Sequence, residues 1–197
     1  MTTRTANIIR TTNETSIDLQ LNIDGSGVAN VDCAVRFLSH MLEQLALNAR
    51  FDLTLTASGD IDIDDHHVVE DIAISLGRAL ADALGDKVGS TRYGHVILPM
   101  DEVVTTVACD LSGRFSYRFD ASFEYAKVGD MSAQMVKHFW GSFAQNAKIN
   151  LYVKSEFGDN DHHIAEGIFK ACGRALRMAC ELDSRLSQQL PSTKGFL

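Results

Sequence analysis

Four of the chain's seven histidines stand in two copies of one hexapeptide. Asp65-His66-His67-Val68-Val69-Glu70 returns as Asp161-His162-His163-Ile164-Ala165-Glu166. Imidazole nitrogen and carboxylate oxygen without thiolate suit Mn, Fe, Zn, Co or Ni. On a helix, His66 lies four residues from Glu70 and His67 three, so either can share a face with the carboxylate. The two adjacent imidazoles diverge by about 100°. One ion on one ideal helix therefore takes a single His of the pair, and each hexapeptide is expected to serve two sites. The same holds for His162, His163 and Glu166. Asp65 and Asp161 are expected to cap their helices or to orient a ligating His.

The likeness runs beyond the hexapeptides. Asp65 to Leu80 and Asp161 to Leu176 share nine identities in sixteen positions at an offset of 96. Upstream the pairing resumes at an offset of 98, with His40 on His138 and Asn48-Ala49-Arg50 on Asn146-Ala147-Lys148. A weaker echo sets Glu14 on Glu102 and Gly25 on Gly113. An internal duplication accounts for all of this, with residues 1–90 and 91–197 as the two halves of one unit. It claims every histidine but His95, which reads as ordinary. A single His-His on a helix is commonly incidental. Core histidines have no reason to repeat with a Glu at fixed spacing, so the duplicate points to metal. His40, His66, His67, His138, His162 and His163 with Glu70 and Glu166 supply two ions with three His and one Glu each. A six-coordinate ion so held keeps open positions, the mark of a catalytic site.

The elements that must position these residues follow from periodicity. Ser16 to Ile23 alternates as a half-buried strand, and Val28 to Val31, past the Asp24-Gly25-Ser26-Gly27 turn, is its expected hairpin partner. Phe37 to Leu47 reads as a helix and Phe51 to Thr56 as a strand. A helix from Asp64 or Asp65 to Leu84 stops at Gly85. The second half repeats the order. Strands over Val103 to Leu111 and Phe115 to Phe119 flank a Ser112-Gly113 turn. A helix over Met131 to Asn146, a strand over Ile149 to Val153 and a helix over Asp161 to Cys180 follow. Ser187 to Leu197 reads as a tail. The expected class is α+β, each half an antiparallel sheet with two helices on one face.

Composition narrows the function. The chain has 197 residues, 45% of them apolar, enough to bury a core; a chain of this size covers roughly 70% of its unfolded surface. A net charge of −8 with no basic block argues against a nucleic-acid or membrane partner. No stretch approaches the roughly 20 apolar residues of a membrane span, and no signal peptide is visible. Four scattered Cys without a C-x-x-C read as buried thiols in a reducing cytoplasm.

Several longer motifs stand beside the repeat. They are Arg10-Thr11-Thr12-Asn13-Glu14-Thr15, Phe37 to Leu45, Arg92-Tyr93-Gly94, Pro99-Met100-Asp101-Glu102, Leu111-Ser112-Gly113-Arg114, His162 to Lys170 and Pro191-Ser192-Thr193-Lys194-Gly195. Together with the hexapeptides they closely resemble the imidazoleglycerol-phosphate dehydratase family of histidine biosynthesis, over nearly the whole chain. The family usually has Asp where Ser39 stands and a Thr-Gly-containing turn at Cys33 to Arg36. The resemblance implies a fold similar to ribosomal protein S5 domain 2. It implies loss of water from D-erythro-imidazole-glycerol phosphate to give imidazole-acetol phosphate. It also implies two Mn2+ per active site and a homo-oligomer of 24 subunits with interfacial sites.

The chemistry fits the residue types. The hydrogen lost sits on a carbon that no carbonyl activates. The substrate imidazole can bind the ions as imidazolate, a Lewis-acid effect. By resemblance the catalytic set is Glu14, His66, Glu70, His162 and Glu166, with Glu14 as acid/base. Gln44 resembles a substrate-bonding residue, and Arg92, Arg114, Lys170, Ser192 and Lys194 match phosphate-binding positions. Singly, each of these reads as a solvated charged or polar side chain on the surface. A metal-storage assembly would explain the repeated ligands but not Glu14 or the cations. A dinuclear phosphoester hydrolase would call for a richer carboxylate set.

Overall fold

The computed structural model describes residues 4–186 and 189–197. The first half holds β1 (Thr5–Thr11), β2 (Thr15–Asn22), β3 (Ala29–Cys33), α1 (Arg36–Ala49), β4 (Asp52–Gly59) and α2 (His66–Leu84). The second holds β5 (Tyr93–Met100), β6 (Val103–Asp110), β7 (Ser116–Asp120), the short pair β8 (Lys127–Val128) and β9 (Met131–Ser132), α3 (Gln134–Ala147), β10 (Asn150–Glu156) and α4 (Asp161–Cys180). The α+β class and the duplicated order stand. The expected tail falls partly outside the described residues; from Gln189 onward it is irregular.

Each half builds a four-stranded sheet, in the orders β1-β2-β4-β3 and β5-β6-β10-β7. Three strands of each run antiparallel, and the fourth is parallel to its neighbour. The hairpin expected between Ser16–Ile23 and Val28–Val31 does not form. β3 instead pairs with β4, Val31 opposite Leu55, after α1 has carried the chain across. β7 likewise leaves β6 and joins β10, with Val153 opposite Phe119. The Gly-rich turns reverse the chain without fixing its partner, and the free edges of β4 and β10 take the strand.

Both sheets bury the face that carries Ile17, Leu19 and Leu21 or Val103, Val107 and Cys109. That face meets helices, which then pair across the halves: α1 packs on α4, and α2 on α3. Two repeated glycines set how closely. A Cβ on Gly77 would stand 2.5 Å from the Phe143 carbonyl oxygen in α3, and one on Gly173 2.7 Å from that of Leu45 in α1. Phe143 and Leu45 are themselves repeat partners at the offset of 98. Phe139, Trp140, Phe143 and Phe169 fill the centre, all 1% exposed or less. Each such side chain contributes about 1.5–3 kcal/mol. One continuous apolar core spans both halves.

Candidate metal centres

The cross-pairing of helices gathers six of the eight expected ligands into two groups. His66 and Glu70, in the first turns of α2, meet His138 on α3. Glu70 Oε1 lies 2.8 Å from His138 Nε2, and the His66 and His138 ring centroids are 4.7 Å apart. His162 and Glu166, at the start of α4, meet His40 on α1. Glu166 Oε2 lies 3.1 Å from His162 Nε2 and 3.7 Å from His40 Nε2. In each group one ligand atom per residue falls within 4.8 Å of the others. That span suits donors around one divalent ion, and the His-His-Glu set suits manganese among others. Three donors leave positions open. Each group draws two ligands from one half and one from the other, and no ligand is shared between the groups.

The groups differ in charge. Lys170, one turn beyond Glu166, places Nζ 2.6 Å from Glu166 Oε1. Its counterpart near Glu70 is Ile74. Burial pushes the Glu166 carboxyl up. The Lys170 hydrogen bond and charge, with His40 and His162 behind them, outweigh it and hold the group below its usual value.

His67 and His163 lie outside both groups. Their rings stand nearly perpendicular to those of His66 and His162, at 82° and 87°. Each commits Nδ1 to a carboxylate. His67 Nδ1 is 2.9 Å from Asp60 Oδ2 and 3.9 Å from Glu14 Oε2. His163 Nδ1 is 3.0 Å from Glu102 Oε2. The Asp60 hydrogen bond raises the His67 pKa, with the charge of Glu14 adding to it, and the Glu102 hydrogen bond does the same for His163. With Nδ1 engaged, Nε2 is the remaining donor of each ring; Asp101 stands 3.7 Å from that of His163. Glu14 itself sits in the β1–β2 turn. Thr12 Oγ1 pins this turn by accepting from the Glu14 and Thr15 amides at 3.1 and 3.0 Å.

Asp65 and Asp161 neither cap their helices nor touch a ligand ring. Asp65 Oδ1 accepts from the Ser132 hydroxyl at 2.7 Å, and Asp161 accepts from the Glu124 and Tyr125 amides. The caps come from their neighbours. Asp64 accepts from the His66 amide, and Asn160 from those of His162 and His163. α1 is capped from the other half, with Asp130 accepting from the Arg36 and Phe37 amides at 2.7 and 2.8 Å. Residues 124–132 thus strap together the starts of α4, α1 and α2.

The expected phosphate residues fall in two places. Arg92 forks onto Asp110 at 2.7 and 3.1 Å and donates to the Pro191 carbonyl at 2.8 Å, which holds the tail with Ser192 and Lys194 against it. Ser192 Oγ accepts from the Lys194 amide. The C-terminal residue Leu197 lies against Gly113, beside Arg114. Lys170 is elsewhere, on Glu166. Gln44, half-buried on α1, touches neither set; its carbonyl accepts from the Asn48 side chain. A cavity of about 410 Å3 opens beside His66 and His138, lined also by Tyr117, Gln134, Lys137 and Gln145.

Asp60 was missed in the sequence, and Glu102 was seen only as the echo of Glu14. Asp60 has no like residue in the second half, where the strand register makes Glu156 the counterpart of Ser58 and Gly158 that of Asp60.

Comparisons of the whole chain with known proteins all return one family name. The family model described as imidazoleglycerol-phosphate dehydratase matches residues 33–176. A protein of that name from Rhodopirellula baltica is 50% identical over 194 residues, covering 98% of this chain and 96% of the relative. Another, from Hydrogenovibrio crunogenus, is 51% identical, covering 98% and 100%. The crystal structure of the Staphylococcus aureus enzyme of that name superposes with a TM-score of 0.83 at 34% identity, covering 91% of this chain and 99% of the other.

Proposed function

The chain belongs to the imidazoleglycerol-phosphate dehydratase family, and from that premise we propose a dinuclear manganese site that converts D-erythro-imidazole-glycerol phosphate to imidazole-acetol phosphate. Membership makes the protein a dehydratase, and so a lyase, of histidine biosynthesis. The reading of the site rests chiefly on the two His-His-Glu groups. His66, Glu70 and His138 would hold one ion and His40, His162 and Glu166 the other. The ions supply Lewis-acid binding of the substrate's imidazole(ate).

The chain's own groups do the rest. Glu14, with its side chain about half exposed, takes the proton from the second carbon from the ring, whose own hydroxyl becomes the ketone, and later returns a proton to the carbon beside the ring, which has lost its hydroxyl. The hydroxyl leaves with a proton as water. Arg92, Arg114, Ser192 and Lys194, with Lys170 once released from Glu166, hold the phosphate. Gln44 bonds the substrate's polar backbone.

Each group is one imidazole short of the three expected, while His67 and His163 each keep Nε2 as a donor. A second copy of the chain supplies these two in the reading proposed here, which makes the active site interfacial and the protein a homo-oligomer, by family resemblance of 24 subunits. The four free, buried thiols suit a reducing compartment, and we place the enzyme in the cytoplasm. Among the described residues no helix is long and apolar enough to cross a membrane.

Turnover of imidazole-glycerol phosphate tests the proposal. Chelation should abolish it and Mn2+ restore it. Glu14→Gln should keep the metal and lose turnover, an outcome that a storage protein does not give. Unchanged turnover in stripped protein would defeat the dinuclear reading.

A further inference from the structure

The two halves handle the second histidine of the hexapeptide differently, and the difference falls on the catalytic carboxylate. Glu14 and Glu102 are repeat partners, and both come close to that histidine. In the second half Glu102 bonds His163 Nδ1 with both oxygens, at 3.0 and 3.2 Å. In the first half Glu14 stands off at 3.9 Å, beyond hydrogen-bond reach, and Asp60 takes Nδ1 at 2.9 Å. The second half cannot make that substitution, because the strand register, which sets Ser58 on Ser16 and Glu156 on Val104, leaves Gly158 where the first half has Asp60.

Asp60 is poorly placed for any other purpose. Its Oδ1 is buried with no hydrogen-bond partner among the described residues, and its Oδ2 bonds His67 alone. A desolvated oxygen left unpaired is costly, so packing stability does not explain the residue. The backbone holds it in place: the Asp60 amide donates to the Glu14 carbonyl at 3.1 Å. Gly59 permits the close approach of β4 to α2. A Cβ there would meet Val68 Cγ2 at 2.5 Å and the Glu14 carbonyl oxygen at 3.0 Å.

We propose that Asp60 is a positioning residue that accepts from His67 Nδ1–H and fixes Nε2 as the metal-binding atom, so releasing Glu14, whose counterpart Glu102 still does this for His163, to move protons. A carboxylate behind a ligating imidazole sets its tautomer and orientation and strengthens it as a donor. The inference rests on the metal-site reading above.

Mn2+ isotherms on the assembled, metal-stripped protein test it, with free Mn2+ followed by electron paramagnetic resonance. Wild type and His67→Ala come first. If wild type takes up no Mn2+, or His67→Ala binds like wild type, the metal reading itself fails. If His67→Ala loses affinity, the variants decide the role of Asp60. Asp60→Ala should weaken half of the Mn2+ sites by about 10- to 100-fold and leave the other half unchanged. Asp60→Asn, which keeps an acceptor oxygen, should recover most of that loss. Glu102→Ala should weaken the complementary half. Glu14→Gln should leave every site intact while turnover is lost. Wild-type affinity in Asp60→Ala overturns the proposal, as does a Glu14→Gln loss equal to that of Asp60→Ala. Thermal melting of each stripped variant identifies any that fails to fold. If Asp60→Ala is among them, the comparison passes to Asp60→Asn and Glu102→Ala, and wild-type affinity in Glu102→Ala overturns the proposal.

Discussion

Replacing Gly173 by alanine should loosen one metal centre and spare the other. The added Cβ would stand 2.7 Å from the Leu45 carbonyl oxygen and 3.1 Å from the Ala49 amide nitrogen, where ordinary contact begins at 3.4 Å. Helices α1 and α4 must therefore separate by about 0.7 Å. Overpacking of this kind costs about 1–3 kcal/mol. Alanine in a helix returns about 1 kcal/mol relative to glycine. Net destabilisation is then at most about 2 kcal/mol, and melting alone is a weak readout. The ligands are more sensitive. Glu166 lies seven residues before Gly173, roughly 10 Å along the helix. A comparable shift there exceeds the tolerance of about 0.2 Å for metal–ligand distances. His40 rides on α1 while His162 and Glu166 ride on α4, so the wedge should lower Mn2+ affinity at that centre on the order of tenfold. Gly77→Ala should do the converse, since its Cβ meets α3 and parts His66 and Glu70 from His138. Isotherms of the two variants should each show one weakened class of site, and the double variant two. Equal weakening of both classes by either single variant would refute the reasoning, as would full affinity alongside a lowered melting temperature.

Two further outcomes follow from the same geometry. Asp130→Ala removes both acceptors at the start of α1, which has no side-chain cap of its own. It should cost about 1–2 kcal/mol and lower the melting temperature by roughly 2–4 °C per kcal/mol, and an unchanged melting curve would show that the strap is dispensable. Burial pushes the Cys109 thiol up to about 12 and raises Cys33, Cys172 and Cys180 as well. The native thiols should resist alkylation at pH 8 until the chain is unfolded. Because the folded values exceed the unfolded value of 9.0, the folded state retains protons that the unfolded state loses. Stability should therefore fall as pH rises above about 9, reaching its full loss from Cys109 near 12; rapid modification of folded protein at pH 8 would contradict the burial.

The chemistry was legible because it was written twice. The hexapeptides named residues that the fold gathers into the two candidate groups, and the 100° divergence of adjacent imidazoles correctly set His66 apart from His67 and His162 from His163. Helix α4 runs over the expected Asp161–Cys180, and α2 stops at Gly85 as the turn signal indicated. Other features are not local. β1 and β5 went unread because edge strands bury their inner face only in part, so their alternation is weak. The parallel placement of β3 and β7 depends on which sheet edge is free after a helix has crossed. Asp65 bonds a serine 67 positions away, where no spacing rule reaches.

The division of ligands explains why the two halves make one unit. His40 leaves the first half to complete a centre begun by α4, and His138 leaves the second to complete one begun by α2. Neither half alone holds all three residues of either group. The glycines that bring α1 onto α4 and α2 onto α3 therefore serve packing and chemistry at once, and a flexible linker would serve neither. Duplication supplied two equal centres. Lys170 opposite Ile74, and Asp60 opposite Gly158, then made them unequal. A substrate with a ring at one end and a phosphate at the other has no two-fold symmetry, and a site built from identical halves could not tell its ends apart.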